Sequence, residues 1–126
     1  MNTTLIFVYG TLKRGFHNNT LLSGAEFVGE ATTVGGGFGM ASNGSFPAVY
    51  RDPASEANVA GELYRVTPKQ LERVDRLEGH PEWYSREPIQ TTGGEAQAYF
   101  MLPQGPYWRT VQPLNGVLTF DKNCRS

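Results

Sequence analysis

The sequence predicts an α+β fold, a small mixed β-barrel with one or two helices packed outside it. Six short segments rich in β-branched and aromatic residues are separated by Gly, Pro, Asn and Asp clusters. The gaps between most of them are too short for crossover helices, which favours antiparallel or mixed pairing in a sheet that curls on itself. A single stretch in the second half has helical periodicity with start and stop signals at both ends.

Thr4 to Tyr9 is β-branched and aromatic and stops at Gly10, the pattern of a buried strand closed by a turn. Further strands are expected at Glu26 to Val34, Phe46 to Tyr50 and Asn58 to Val66. Among them lies Gly35-Gly36-Gly37-Phe38-Gly39-Met40. It lacks the full dinucleotide fingerprint and any Gly-Lys-Ser/Thr ending, so a flexible loop is expected there rather than a phosphate site. Thr67-Pro68-Lys69-Gln70 supplies an N-cap threonine, a proline at the first helical position and a glutamine at the third; Gly79 followed by Pro81 ends the helix. The helix is therefore expected from Pro68 to Glu78. Tyr84 to Thr91 and Glu95 to Leu102, joined through Thr92-Gly93-Gly94, read as a hairpin.

With 126 residues, 39% of them hydrophobic, the chain can bury one core, so residues 1–126 are expected to form a single domain. Eleven Lys+Arg against twelve Asp+Glu give a net charge of -1, which argues against nucleic acid or anionic membranes as partners. The longest apolar run, Leu5 to Tyr9, falls far short of the roughly 20 residues that span a bilayer, and no leader pattern opens the sequence. Cys124 is the only cysteine, so no disulfide can form within the chain. His17 and His80 are too distant in sequence to suggest a metal pair. A cytoplasmic protein without metal or cofactor is expected; the sequence leaves its oligomeric state open.

On a helical wheel Leu71, Val74 and Leu77 share one arc, while Lys69, Glu72, Arg73 and Arg76 lie opposite. Glu78 falls between Leu71 and Val74, in the middle of the stripe meant for the core. A carboxylate there loses hydration and faces the negative end of the helix dipole, so its pKa is expected to rise into the range useful for general acid/base catalysis. The plainer alternative is that Glu78 turns into solvent or pairs with Arg73 or Arg86. The second candidate is Tyr9-Gly10-Thr11-Leu12-Lys13-Arg14-Gly15. A strand that ends at glycine can present successive backbone N–H groups to an anionic oxygen, although an ordinary turn would have the same sequence. His80 could border the site of Glu78, with a surface turn as its alternative. Trp83, Trp108, Tyr84, Tyr99 and Tyr107 read as core or rim packing, and Cys124 as an inert thiol.

Four motifs in order resemble the γ-glutamylcyclotransferase superfamily, also called AIG2-like. They are Tyr9-Gly10-Thr11-Leu12, Phe46-Pro47-Ala48-Val49, Gly61-Glu62-Leu63-Tyr64, and Val74 to Pro81 with Tyr84 and Arg86. The resemblance covers the chain to about Leu102 and is greatest to the γ-glutamylaminecyclotransferase branch. It implies a small β-barrel with attached helices, a substrate-holding turn at Tyr9, Gly10, Thr11 and Leu12, and Glu78 as the catalytic acid/base. The implied reaction turns a γ-glutamyl amine or γ-glutamyl amino acid into 5-oxoproline and a free amine. Substrate choice is expected to reside in the Gly35 to Gly39 stretch or in the tail after Leu102. Two rival functions are a non-catalytic member of the same fold that binds a small ligand or a protein, and a small barrel for single-stranded nucleic acid.

Overall fold

The computed structural model describes residues 2–80 and 82–120. Its strands are β1 (Thr4–Val8), β2 (Glu26–Thr32), β3 (Phe38–Ser42), β4 (Pro47–Arg51), β5 (Asn58–Val66), β6 (Ser85–Thr91), β7 (Gly94–Phe100), β8 (Arg109–Thr110) and β9 (Val117–Leu118). One α-helix, α1 (Pro68–Glu78), follows β5, and a 3-10 helix spans His17–Leu22.

The main sheet has the order β2-β5-β1-β7-β6, with β9 added beside β5. It is mixed: β1 is antiparallel to β5 and parallel to β7. The two outer strands meet at one end, where Thr33 bridges Thr91 and the Thr92 N–H donates to the Thr32 carbonyl at 2.9 Å. The sheet thus curls until its edges touch, the barrel-like form expected from short twisted strands. A second sheet, β4-β3-β8, packs beside it.

Residues of β1, with Tyr9 just after it, alternate between two apolar clusters. Phe7 and Tyr9 join Met40, Val59, Leu63 and Phe100, whereas Ile6 and Val8 join Tyr64, Val66, Val74 and Tyr99 beneath α1. Burial on both faces is why this strand reads as an unbroken apolar run.

The helix has the bounds its sequence predicts. Gln70 N–H donates to Thr67 Oγ1 at 3.2 Å while Thr67 N–H donates to Gln70 Oε1 at 2.8 Å, a reciprocal capping box. At the other end Gly79 adopts φ 67°, a left-handed cap in which its N–H reaches back to the Arg76 carbonyl. Pro81 and Cys124 lie outside the described residues. Val74 is fully buried, worth roughly 1.5 to 3 kcal/mol of transfer free energy.

Three expectations need correction. The glycine-rich stretch is no loop throughout, because Phe38–Ser42 is a strand buried at every position. Small residues there let neighbours close over both faces, which erases the polar alternation that marks a half-buried strand. Leu77 is 42% exposed rather than in the core. It stands about 60° from Val74 at the edge of the apolar arc, where α1 no longer covers the sheet. The expected Glu26 to Val34 and Glu95 to Leu102 strands end earlier, at Thr32 and Phe100.

Candidate active site

Beyond β1 the chain turns through Tyr9, Gly10, Thr11 and Leu12. Gly10 is required by close approach: a Cβ there would lie 2.9 Å from the Cδ and Cγ atoms of Pro47. Its neighbours then fix the turn. Lys13 N–H donates to the Gly10 carbonyl at 3.0 Å, Asn18 N–H to the Thr11 carbonyl at 3.1 Å, and Asn19 Nδ2 to the Leu12 carbonyl at 2.8 Å. The carboxylate of Glu62, in the Gly61-Glu62-Leu63-Tyr64 motif of β5, accepts from Arg14 N–H at 2.9 Å. With the carbonyls thus occupied, the N–H groups of Gly10, Thr11 and Leu12 have no acceptor among the described residues. Such a row suits an anionic oxygen.

These residues border a cavity of about 850 Å³. Tyr9, Gly10, Thr11, Leu12 and Glu78, the site residues expected from sequence, all line it, together with Pro47, Tyr84 and Tyr99. His17 lines it as well, whereas His80 instead accepts the Arg86 N–H at 3.0 Å.

Glu78, in the last turn of α1, is half-buried, and burial pushes its carboxyl from the ordinary 4.5 up to about 7. Neither alternative partner reaches it: Arg86 is bound to Asp75, and no cation pairs with Glu78 among the described residues. The phenols around it are committed elsewhere. Tyr9 donates to the Tyr99 carbonyl, Tyr84 to the Pro47 carbonyl at 2.7 Å, and Tyr99 to Asp75 Oδ1 at 2.6 Å. Burial raises the pKa of Tyr84, and the nearby Glu78 charge raises it further, so this phenol stays neutral. Among the described residues the carboxyl of Glu78 is consequently left for whatever enters the cavity.

Sequence reasoning missed the clamp behind it. Asp75 takes a bidentate pair from Arg86, 2.9 Å at Nε and 3.2 Å at Nη2, besides the Tyr99 hydroxyl. The signal was present, since Asp75 precedes Glu78 by three residues and so shares its side of the helix. Asp75→Ala is expected to leave Arg86 and the Tyr99 hydroxyl without their acceptor, at a cost of about 1 to 3 kcal/mol. Thermal unfolding checks this; an unchanged melting temperature would mean that the clamp does not fasten α1 to β6 and β7.

The family described as gamma-glutamyl cyclotransferase, AIG2-like, matches residues 6–115. Gamma-glutamylaminecyclotransferase C of Danio rerio is 38% identical over 96 residues, which are 71% of this chain and 63% of that protein. An Arabidopsis thaliana relative is 41% identical over 100 residues, 74% of this chain but only 54% of its own length, so the chain spans about half of that relative. The crystal structure of an AIG2-like protein from Mus musculus superposes with a TM-score of 0.73 at 29% identity, covering 86% of this chain and 83% of that one. Sequence motifs, fold and extent of match agree, and the chain belongs to the gamma-glutamyl cyclotransferase, AIG2-like family.

Proposed function

We infer that the cavity closes a γ-glutamyl group onto itself, giving 5-oxoproline and a free amine. The observation that carries this reading is Glu78, a carboxyl with no cation beside it among the described residues, raised to about 7 in the cavity bordered by the Tyr9 to Leu12 turn. The names of relatives support the same chemistry, because three of those from Danio rerio are gamma-glutamylaminecyclotransferases.

In the proposed reaction the α-ammonium of the substrate gives a proton to Glu78, and the resulting amine attacks its own side-chain amide carbon. A nitrogen–carbon bond forms to close the ring, and the bond from that carbon to the leaving nitrogen breaks. Of the protons on the α-ammonium, one remains on the ring nitrogen and the rest depart with the amine as its ammonium ion. Glu78 returns the proton that the leaving nitrogen needs. Nucleophile and electrophile share one molecule, so the site has chiefly to fold the substrate, and effective molarities in such cases reach about 10⁵ M or more. The N–H groups of Gly10, Thr11 and Leu12 suit the α-carboxylate or the oxygen that turns negative at the tetrahedral stage.

Glu78 must be ionised to accept the first proton. The value of kcat/KM for a γ-glutamyl amine is therefore expected to rise with pH to a midpoint near 7, the value to which burial lifts this group. Assaying 5-oxoproline release between about pH 4 and pH 9 checks it. An acidic limb at the ordinary 4.5 would mean that the cavity does not tune Glu78 for the reaction.

A further inference from the structure

A γ-glutamyl group has about nine non-hydrogen atoms and, even at the roughly 30 Å³ a water occupies in the liquid, fills at most about 270 Å³. The cavity measures about 850 Å³. Most of it therefore remains for the amine that leaves. Beyond Glu78 its walls are Leu77, Trp83, Met101, Leu102, Phe46 and Trp108. Trp83 and Leu102 are 72% and 67% exposed, so this apolar surface stands open to an occupant.

Where the leaving group runs follows from where its nitrogen must be. That nitrogen takes a proton from Glu78, so the atoms attached to it begin beside the end of α1. There Trp83 N–H donates to the Gly79 carbonyl at 2.9 Å, and the Trp83 ring stands against the open side of Gly79, the residue after Glu78. Another part of the wall comes from the tail, where Trp108 lines the same cavity. Strand β8 pairs with β3, which sets Trp108 edge-on to Phe46 with ring centroids 5.7 Å apart. Among the charged residues that line the cavity, Arg76 is shared with Glu72 at 3.1 Å in an exposed pair and Glu82 carries a negative charge, so the lining offers a leaving-group carboxylate no buried cation.

Resting on the ring-closure reading above, we propose that the preferred leaving amine carries an extended uncharged apolar group, alkyl or arylalkyl, held between Trp83 and the Phe46–Trp108 wall. Trp83, Leu102 and Trp108 are then the specificity-determining residues.

The test is a series of γ-glutamyl n-alkylamides from methyl to hexyl, with γ-glutamyl-ε-lysine and γ-glutamylalanine alongside, each followed as 5-oxoproline release. Each added methylene is expected to raise kcat/KM about 2- to 4-fold until the chain outgrows the wall. Trp83→Ala should flatten that dependence and Trp83→Phe should retain most of it; Trp83 is largely exposed, so both variants are expected to fold. Turnover that is level across the series, or a tenfold preference for γ-glutamyl-ε-lysine over the hexylamide, would overturn the proposed subsite and leave the ring-closure reading standing. Absence of 5-oxoproline from every compound would instead overturn the reading itself and this proposal with it.

Discussion

Replacing Glu78 by glutamine is expected to slow 5-oxoproline formation by orders of magnitude while making the protein more stable above neutral pH. Glutamine keeps the shape of the side chain but carries no exchangeable acid, so the loss in rate should be about 10² to 10⁴-fold. The gain in stability follows from linkage. Folding raises the carboxyl from 4.5 to about 7, so between those values the folded state binds more protons than the unfolded one. Stability therefore falls as pH rises through that window and levels off above it. The penalty at the plateau is at most about 3 kcal/mol. Glutamine does not titrate and escapes it. Thermal unfolding near pH 4 and pH 8 checks the sign: the advantage of Glu78→Gln should be larger at the higher pH. An advantage that does not grow with pH would mean that Glu78 is not held in a desolvated place.

Gly10→Ala should lower both stability and activity, which separates it from the first variant. The added methyl would sit 2.9 Å from two ring carbons of Pro47. That proline has little freedom to yield, since it opens β4 opposite Ser42 of β3 and its carbonyl accepts the Tyr84 hydroxyl at 2.7 Å. The turn and β4 must move apart, at a cost of about 1 to 3 kcal/mol for overpacking. The N–H groups of Gly10, Thr11 and Leu12 move with the turn, and a displacement of about 1 Å at such a site costs on the order of 10²-fold in rate. Melting temperature and kcat/KM measured on the same preparation test this. Native values of both would show that the contact between the two motifs constrains nothing.

These variants also indicate what a linear reading can and cannot reach. Helix α1 was legible to the residue because its signals are local: a Thr67–Gln70 box, a proline at the start, a left-handed glycine at the stop. The same periodicity exposed Glu78 as a carboxylate among apolar positions. Strand β3 was not legible, since Gly39, Ala41 and Ser42 acquire their burial from β4 and β8 on either side rather than from their own hydrophobicity. Nor was the outer wall of the cavity. Trp108 reaches Phe46 only because β8 pairs across a separation of more than sixty residues in the chain, and nothing near Trp108 in sequence announces it. Substrate choice was expected in the Gly35 to Gly39 stretch or the tail; Gln104 and Trp108 of the tail line the cavity, whereas the glycine stretch does not.

The attacking group distinguishes ring closure from hydrolysis, and water enriched in oxygen-18 reports it directly. Incubated in that solvent with a γ-glutamyl alkylamine, the protein should release the amine together with 5-oxoproline that carries no heavy oxygen. Release of the amine with labelled glutamate would contradict the account, because water rather than the substrate's own amine would then have reached the amide carbon beside Glu78.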